Sequence, residues 1–480
     1  MNCLINFKTQ KKSCIYLACG NALLAVLTLL LNLRFEPVCY IASLSFIIFL
    51  VLLWNKFDNI LFLARTLFLG GIGYFPMVVK IVYGPDAFFS GLERTTQDFD
   101  IVLVMYVATS LALLGNEIGL YLGERGQKQT VPRHDTAYER SLWKTIFFCS
   151  IPIVLWASYE AAKSAGSSVL IAGYASEYQD LPMGNIIAIG IICLLAMWVM
   201  LQKYRFKYAW CIFISLASIF LGYSIFLRGQ RQDVLTALLG ITVCYALVKG
   251  KSYKITIKSF LTIVLMYIVF EMWGVARLVI ATTGINLKHL FTIIIANATD
   301  ASDAIKFGTV SPIATTFSNT VWLINSGNLD FAWGKSYWEF ILRTPPEFLY
   351  PGRPTDYSWM FEDYGLLAGG GFFELAEAYM NLGLVGTLLI PATISFLLSK
   401  AFYNTLRKQT VFSYFLLFSF LGVFFRSTWY QTFGFYKAFC TVIVLYFIFW
   451  LVHEILVIWQ NLMTTCVHSK VILSNERSEK

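Results

Sequence analysis

Two arginines three residues apart, Arg228 and Arg231 in "SIFLRGQRQDVL", close one apolar run just before another begins. On a continuing helix, positions i and i+3 share a face, so both guanidiniums point the same way. Each presents a planar fork that grips a phosphate with two hydrogen bonds, and the pair suits a diphosphate at the membrane edge. Snorkelling of both side chains to lipid phosphates is the plainer alternative. A second constellation lies in "GGGFFELAEAYMNLG", residues 369–383. Three glycines release the chain, a helix starts near Phe372 or Glu374, and Glu374, Glu377 and Asn381 follow at helical spacing. A carboxylate beside an amide is the chemistry of a general base and its orienter. Acidic residues favoured by the dipole at a helix start are the alternative.

Further cations belong to the same side of the chain's plan: Arg277, preceded by Glu271, then Arg343 and Arg353 in a Pro-rich stretch, and Arg426 in "RSTWYQTFGFYK". Several arginines with a few carboxylates resemble an anion-binding active site more than a scaffold. Asp98-x-Asp100 could hold a divalent metal, with helix capping as the competing reading. The four histidines are scattered, so no ligand cluster is expected. The ten cysteines lie in apolar stretches or tails, which leaves no extracytoplasmic disulfide framework to propose. No GxxxxGK[ST] loop is present, and so no sign of ATP-driven pumping.

What positions these groups is a membrane. Of 480 residues, 58% are hydrophobic and only 14% charged, with mean hydropathy +0.65. Apolar runs of about 20 residues, enough to cross a bilayer, recur along the chain. About twelve spans are expected, near 14–32, 37–54, 59–83, 101–123, 142–160, 183–202, 208–227, 232–248, 255–281, 376–398, 411–430 and 437–458. Residues 1–281 make a membrane domain of nine spans and 282–375 a large extracytoplasmic loop. Three spans follow over 376–458, then a cytoplasmic tail at 459–480. Lys8, Lys11 and Lys12 precede a first run long enough to span, which reads as a helix rather than a cleaved signal. An even span number places both termini on one side. With that side cytoplasmic, nearly every Lys/Arg cluster falls inside. The net charge of +9 is thereby explained by orientation, and no nucleic-acid partner is expected. Only "RGQR" defies the trend, on the outer face, where such charges usually face an interior or a watery cavity.

The loop at 282–375 is far longer than a connector needs to be. It is rich in Trp and Tyr, and Pro345, Pro346, Pro351 and Pro354 stiffen it. "SPIATTFSNTVWLI" and "SYWEFILR" read as short helices on or dipping into the membrane. Aromatic rings beside carboxylates suit a carbohydrate; an interfacial aromatic belt is the bland alternative.

On these residues the chain resembles the Wzy-type O-antigen, or oligosaccharide repeat-unit, polymerases of bacterial surface polysaccharide. The likeness rests on the outer "RGQR", the late outer loop, and "TPPEFLYPGRP" leading into "GGGFFELAEAYMNLGLVG". It implies an all-α membrane protein akin to GT-C-like lipid-linked glycan polymerases, in a bacterial plasma membrane with the site facing outward. The implied reaction moves a glycan from undecaprenyl diphosphate to a lipid-linked repeat unit, with neither cofactor nor metal. In that role Arg228 and Arg231 hold the donor diphosphate, Arg277 and Arg426 complete the clamp, and an acid near Glu377 takes the acceptor proton. A chain-length regulator is the protein partner such a role brings in. Ligation to another acceptor, transfer from a polyprenyl-phosphate sugar using Asp98 and Asp100, and flipping of the lipid-linked oligosaccharide are the competing functions.

Overall fold

The computed structural model describes residues 12–88, 95, 97–125, 136–163, 183–204, 207–226, 231–250, 310–344, 350–352, 354, 361, 363–366, 372–429 and 431–478. Every regular element among them is helical. In chain order they are α1 (Lys12–Leu30), α2 (Phe35–Trp54), α3 (Ile60–Tyr83), α4 (Phe99–Glu124), α5 (Ala137–Lys163) and α6 (Met183–Tyr204). Next come α7 (Lys207–Ala217), which runs on as a π-helical turn over Ser218–Phe226, and α8 (Arg231–Lys249). The later set is α9 (Val310–Asn325), α10 (Lys335–Leu342), α11 (Glu374–Lys408), α12 (Val411–Leu421), α13 (Phe424–Trp429) and α14 (Phe433–Ser478). Nine of the described helices are long and apolar enough to cross a bilayer, which makes this a multi-pass, all-α membrane protein. The span expected at 255–281 lies outside the described residues. The one expected at 411–430 is broken at Gly422–Val423 into α12 and α13.

Helix α4 is the most buried of the nine, and its contact with α11 is the most extensive in the bundle. A stripe of glycine explains the closeness. A Cβ at Gly115, Gly119 or Gly123 would fall 2.1 Å from Leu388 O, 2.2 Å from Ala392 O and 2.6 Å from Phe396 O respectively. Small residues every four positions let two backbones touch where lipid supplies no hydrophobic drive. The pairing advances in the same direction on both helices, so α4 and this part of α11 run parallel.

Helix α11 is not one rod. Leu382 (φ −139°, ψ 18°) and Gly383 (φ 58°, ψ −144°) break it, the second in a conformation only glycine adopts without strain. Arg65 on α3 touches both Glu374 and Ser395. On a straight helix these would stand about 31 Å apart. The chain therefore doubles back: residues 374–381 (α11a) climb beside the long arm 384–408 (α11b), a re-entrant hairpin. Backbone that breaks helix at membrane depth is tolerated where protein surrounds it, and residues 372–381 are buried throughout.

One of the short helices expected within 282–375 is built into the bundle. Helix α9 packs on α3, α4 and α11, with every residue from Ile313 to Val321 buried. Its hydroxyls conceal that fate in a hydropathy scan. They are nevertheless satisfied within the helix, Ser318 Oγ donating to Thr315 O at 2.9 Å and Thr320 Oγ1 to Thr316 O at 2.8 Å, which makes burial cheap.

Candidate functional site

Glu377 stands at the centre. Its carboxylate is fully buried and is held from two other elements. From the short link between α13 and α14, Thr432 donates to Oε2 through its backbone N–H at 3.0 Å and its Oγ1 at 2.6 Å. Gln431 Nε2 reaches Oε1 at 3.5 Å. From α10, Ser336 Oγ donates to Oε1 at 3.3 Å. Asn381, one turn along α11a, donates to Ser336 Oγ at 2.7 Å and to Glu377 O at 2.8 Å, and so fixes the serine that faces the carboxylate. The site also sits at the N-terminus of α14, where the helix dipole favours an anion.

Two polar atoms on the elements of this clasp lack hydrogen-bond partners. Asn381 Oδ1 and the Tyr337 hydroxyl are buried and unsatisfied among the described residues, as is Arg426 Nη1 on α13. Unsatisfied buried polar atoms are uncommon in folded proteins and mark places where a ligand's groups fit. Burial first, then the charges of Glu377 and Glu374, pushes the Tyr337 phenol well above its ordinary range, so it remains a neutral donor. Arg343 caps α10, lies 4.7 Å over the Phe433 ring and brings Nη1 to 3.5 Å from Gln431 Oε1. A cavity of about 910 Å³ opens between α11b, α12 and α14, and both Tyr337 and Thr432 line it. Thr432 thus belongs at once to the carboxylate's clasp and to the cavity wall.

Of the residues singled out in the sequence, Glu377, Asn381 and Arg343 come together. Arg426 lies on α13, which packs against α8, the helix that begins at Arg231. Arg228, Arg277 and Arg353, with Glu271 and His289, lie outside the described residues. Glu374 has another occupation. Both of its oxygens are taken by the Arg65 guanidinium, Nη1 to Oε2 at 2.5 Å and Nη2 to Oε1, with every partner buried. Glu374 is thus engaged in a buried ion pair that occupies one acceptor site on each of its oxygens. Asp98 caps α4, its side chain accepting from Asp100 N at 2.9 Å, which accounts for one member of the D-x-D pair.

The Arg65–Glu374 pair continues into a buried polar chain. Arg65 Nε donates to Ser395 Oγ at 3.3 Å, Ser395 Oγ to Asn116 Oδ1 at 2.7 Å, and Asn116 Nδ2 to Thr66 Oγ1 at 3.0 Å. Beside it Lys56 and Glu117 form a buried pair at 2.5 Å. Asn116 lies about 26 Å from the Phe99 end of α4 and about 12 Å from the Glu124 end. A buried chain of charged and polar groups therefore runs inside the bundle, and Glu377 stands one helical turn from Glu374. Sequence reasoning missed Arg65, Ser336, Tyr337, Gln431 and Thr432. An arginine inside the apolar run of α3 was the available signal for the first. "QT" between aromatic residues was the signal for the last two.

No family model, no curated protein and no solved structure matches this chain.

Proposed function

We propose that the protein is a lipid-linked glycan polymerase of the Wzy type, in a bacterial plasma membrane with both termini cytoplasmic. It moves a growing glycan from undecaprenyl diphosphate to the non-reducing end of a second lipid-linked repeat unit. The acceptor hydroxyl oxygen bonds to the anomeric carbon, the bond from that carbon to the diphosphate breaks, and the hydroxyl proton passes to Glu377. Arginine charge meets the negative charge that grows on the departing diphosphate, an economical form of transition-state stabilisation. Arg228 and Arg231 are the proposed grip, with Arg277, Arg353 and Arg426 supporting it. Arg343, through Gln431, links cationic charge to the carboxylate.

The observation that carries this reading is the buried carboxylate of Glu377, clasped by Thr432 at the wall of a large cavity. Buried carboxylates beside cavities and unpaired polar groups are where proton-transfer chemistry concentrates. The test uses purified protein with a synthetic undecaprenyl-diphosphate repeat unit and no nucleotide. A product ladder from the parent, and none from a folded Arg228→Ala/Arg231→Ala variant, supports polymerisation. Single-product transfer to a different acceptor would mean a ligase.

One observation favours a second reading. The buried Arg65–Glu374 pair deep in the bundle is the kind of feature a flippase for the same lipid-linked oligosaccharide would use. Transfer of a labelled lipid-linked oligosaccharide across vesicle membranes, with no ladder formed, would favour it.

A further inference from the structure

The cavity beside Glu377 has a second end. From Tyr337 and Thr432 it follows α11b past Ile394 and Leu397, with Phe420 and Phe439 opposite, to a mouth lined by Arg125, Lys400, Arg407 and Lys408. Ile390 to Lys408 spans about 27 Å along the helix, close to the thickness of a bilayer's hydrocarbon core of about 30 Å. Four cations line this half of the groove, Lys400 about 12 Å along the helix from Lys408, and no carboxylate is among the described lining residues. None of the four makes an ion pair with another described residue; Lys400 Nζ lies 5.4 Å from the centre of the Phe396 ring. Positive charge on loops of the cytoplasmic side is ordinary. Its placement at the open end of an apolar channel of membrane length is not explained by that rule.

We infer that this groove holds an anionic glycerophospholipid, its phosphate at Arg125, Lys400, Arg407 and Lys408 and its acyl chains lying along Leu397 and Ile394. Charge complementarity fixes which way round the lipid sits. The head belongs at the mouth with the cations, so the chains point toward the Glu377 site. A zwitterionic headgroup would bring its own cation against four others, and like charges at that distance are penalised. On the charge-parity orientation this mouth faces the cytoplasmic leaflet, opposite the side on which transfer is proposed. The bound lipid is therefore distinct from donor and acceptor, and its binding does not depend on the polymerase reading.

The test is native mass spectrometry of the full-length protein in detergent, offered equal amounts of phosphatidylglycerol and phosphatidylcholine. The parent is expected to retain phosphatidylglycerol selectively. Arg407→Gln/Lys408→Gln should lose that selectivity, and Lys400→Gln, at an exposed position, should weaken it if the double variant does not fold. Leu397→Trp fills the groove without touching the charges; Leu397 is 47% exposed, so the larger ring is accommodated, and the adduct should disappear. Equal retention of the two lipids by the parent would overturn the proposal. So would undiminished phosphatidylglycerol binding by Leu397→Trp, which would reduce the cations to a generic headgroup contact. Displacement of phosphatidylglycerol by an added polyprenyl phosphate would assign the groove to substrate instead.

Discussion

Thr432 donates twice to one oxygen of Glu377, from its backbone nitrogen at 3.0 Å and its hydroxyl at 2.6 Å. The two bonds differ in what a mutation can remove. Thr432→Val keeps the shape and the N–H but deletes the hydroxyl, and a hydrogen bond to a charged group contributes about 1.5–3 kcal/mol. The variant is expected to lose stability in detergent by an amount in that range and so to melt earlier, while Thr432→Ser stays near the parent. Circular dichroism melts of the three proteins decide it.

Arg65 and Glu374 form the buried pair on which the re-entrant arm is anchored. Removing one partner strands a charge inside the bundle, at about 3–5 kcal/mol. Arg65→Met and Glu374→Leu should each destabilise strongly. The double variant should recover most of the loss, because two apolar groups of matching shape need no desolvated charge. A double-mutant cycle on unfolding free energies measures the coupling. Near-additive losses would mean that the pair does not act as a unit.

Much of the architecture was legible in apolar run length alone. Helices α1 to α6 and α8 lie within a few residues of the runs that announced them, because a lipid-facing helix must be apolar over about 20 residues. The re-entrant arm was not legible that way. Residues 374–381 and 384–408 read as one apolar run, and only Gly383 hints at a reversal. Helix α9 was legible as a short helix on or dipping into the membrane but not as part of the core, because Thr315, Thr316, Ser318 and Thr320 lower its hydropathy although each is buried. At the site, Glu377 and Asn381 were visible because spacing on a single helix is a local signal. Ser336, Gln431 and Thr432 come from elements about 40 to 55 residues away, and no local pattern encodes that convergence. The glycine stripe of α4 was readable as "GNEIGLYLG", a spacing with a direct packing meaning.

That stripe gives a sharp packing prediction. A Cβ at Gly119 would lie 2.2 Å from Ala392 O, a backbone atom that cannot swing aside. Gly119→Leu should force α4 and α11b apart, costing at least the ~1–3 kcal/mol typical of overpacking. At Gly20 a Cβ would meet nothing within 4 Å, so alanine there should be accepted with little change. Size-exclusion profiles and melting temperatures of the two variants make the comparison.

Gly383 turns the hairpin at φ 58°, ψ −144°, where an alanine carries a backbone penalty of order 1–3 kcal/mol. The Phe331 ring, 3.3 Å from such a Cβ, adds a tight contact. Gly383→Ala should therefore lower stability, and it should also displace Asn381, two residues earlier, from Ser336. Loss of transfer beyond what the melting shift explains is expected; a variant that melts early but keeps full turnover would detach the hinge from the site.

Glu377→Gln separates a base from a mere anchor. The carboxamide oxygen still accepts from Thr432, so the α14 N-terminus keeps its partner and the fold should hold, but the group no longer takes a proton. General-base catalysis contributes about 10²–10⁴ in rate, and a loss of that size in ladder formation is expected. Donor binding should be retained, measured by protection of the protein against thermal unfolding with the undecaprenyl-diphosphate repeat unit. Glu377→Asp is the companion variant: it keeps the proton acceptor but retracts it by one methylene from donors at 2.6 and 3.0 Å. Partial activity in Asp with none in Gln assigns the proton to this carboxylate, whereas equal turnover in parent and Gln makes Glu377 a structural cap of α14 and returns the search for the base to the other residues around the cavity.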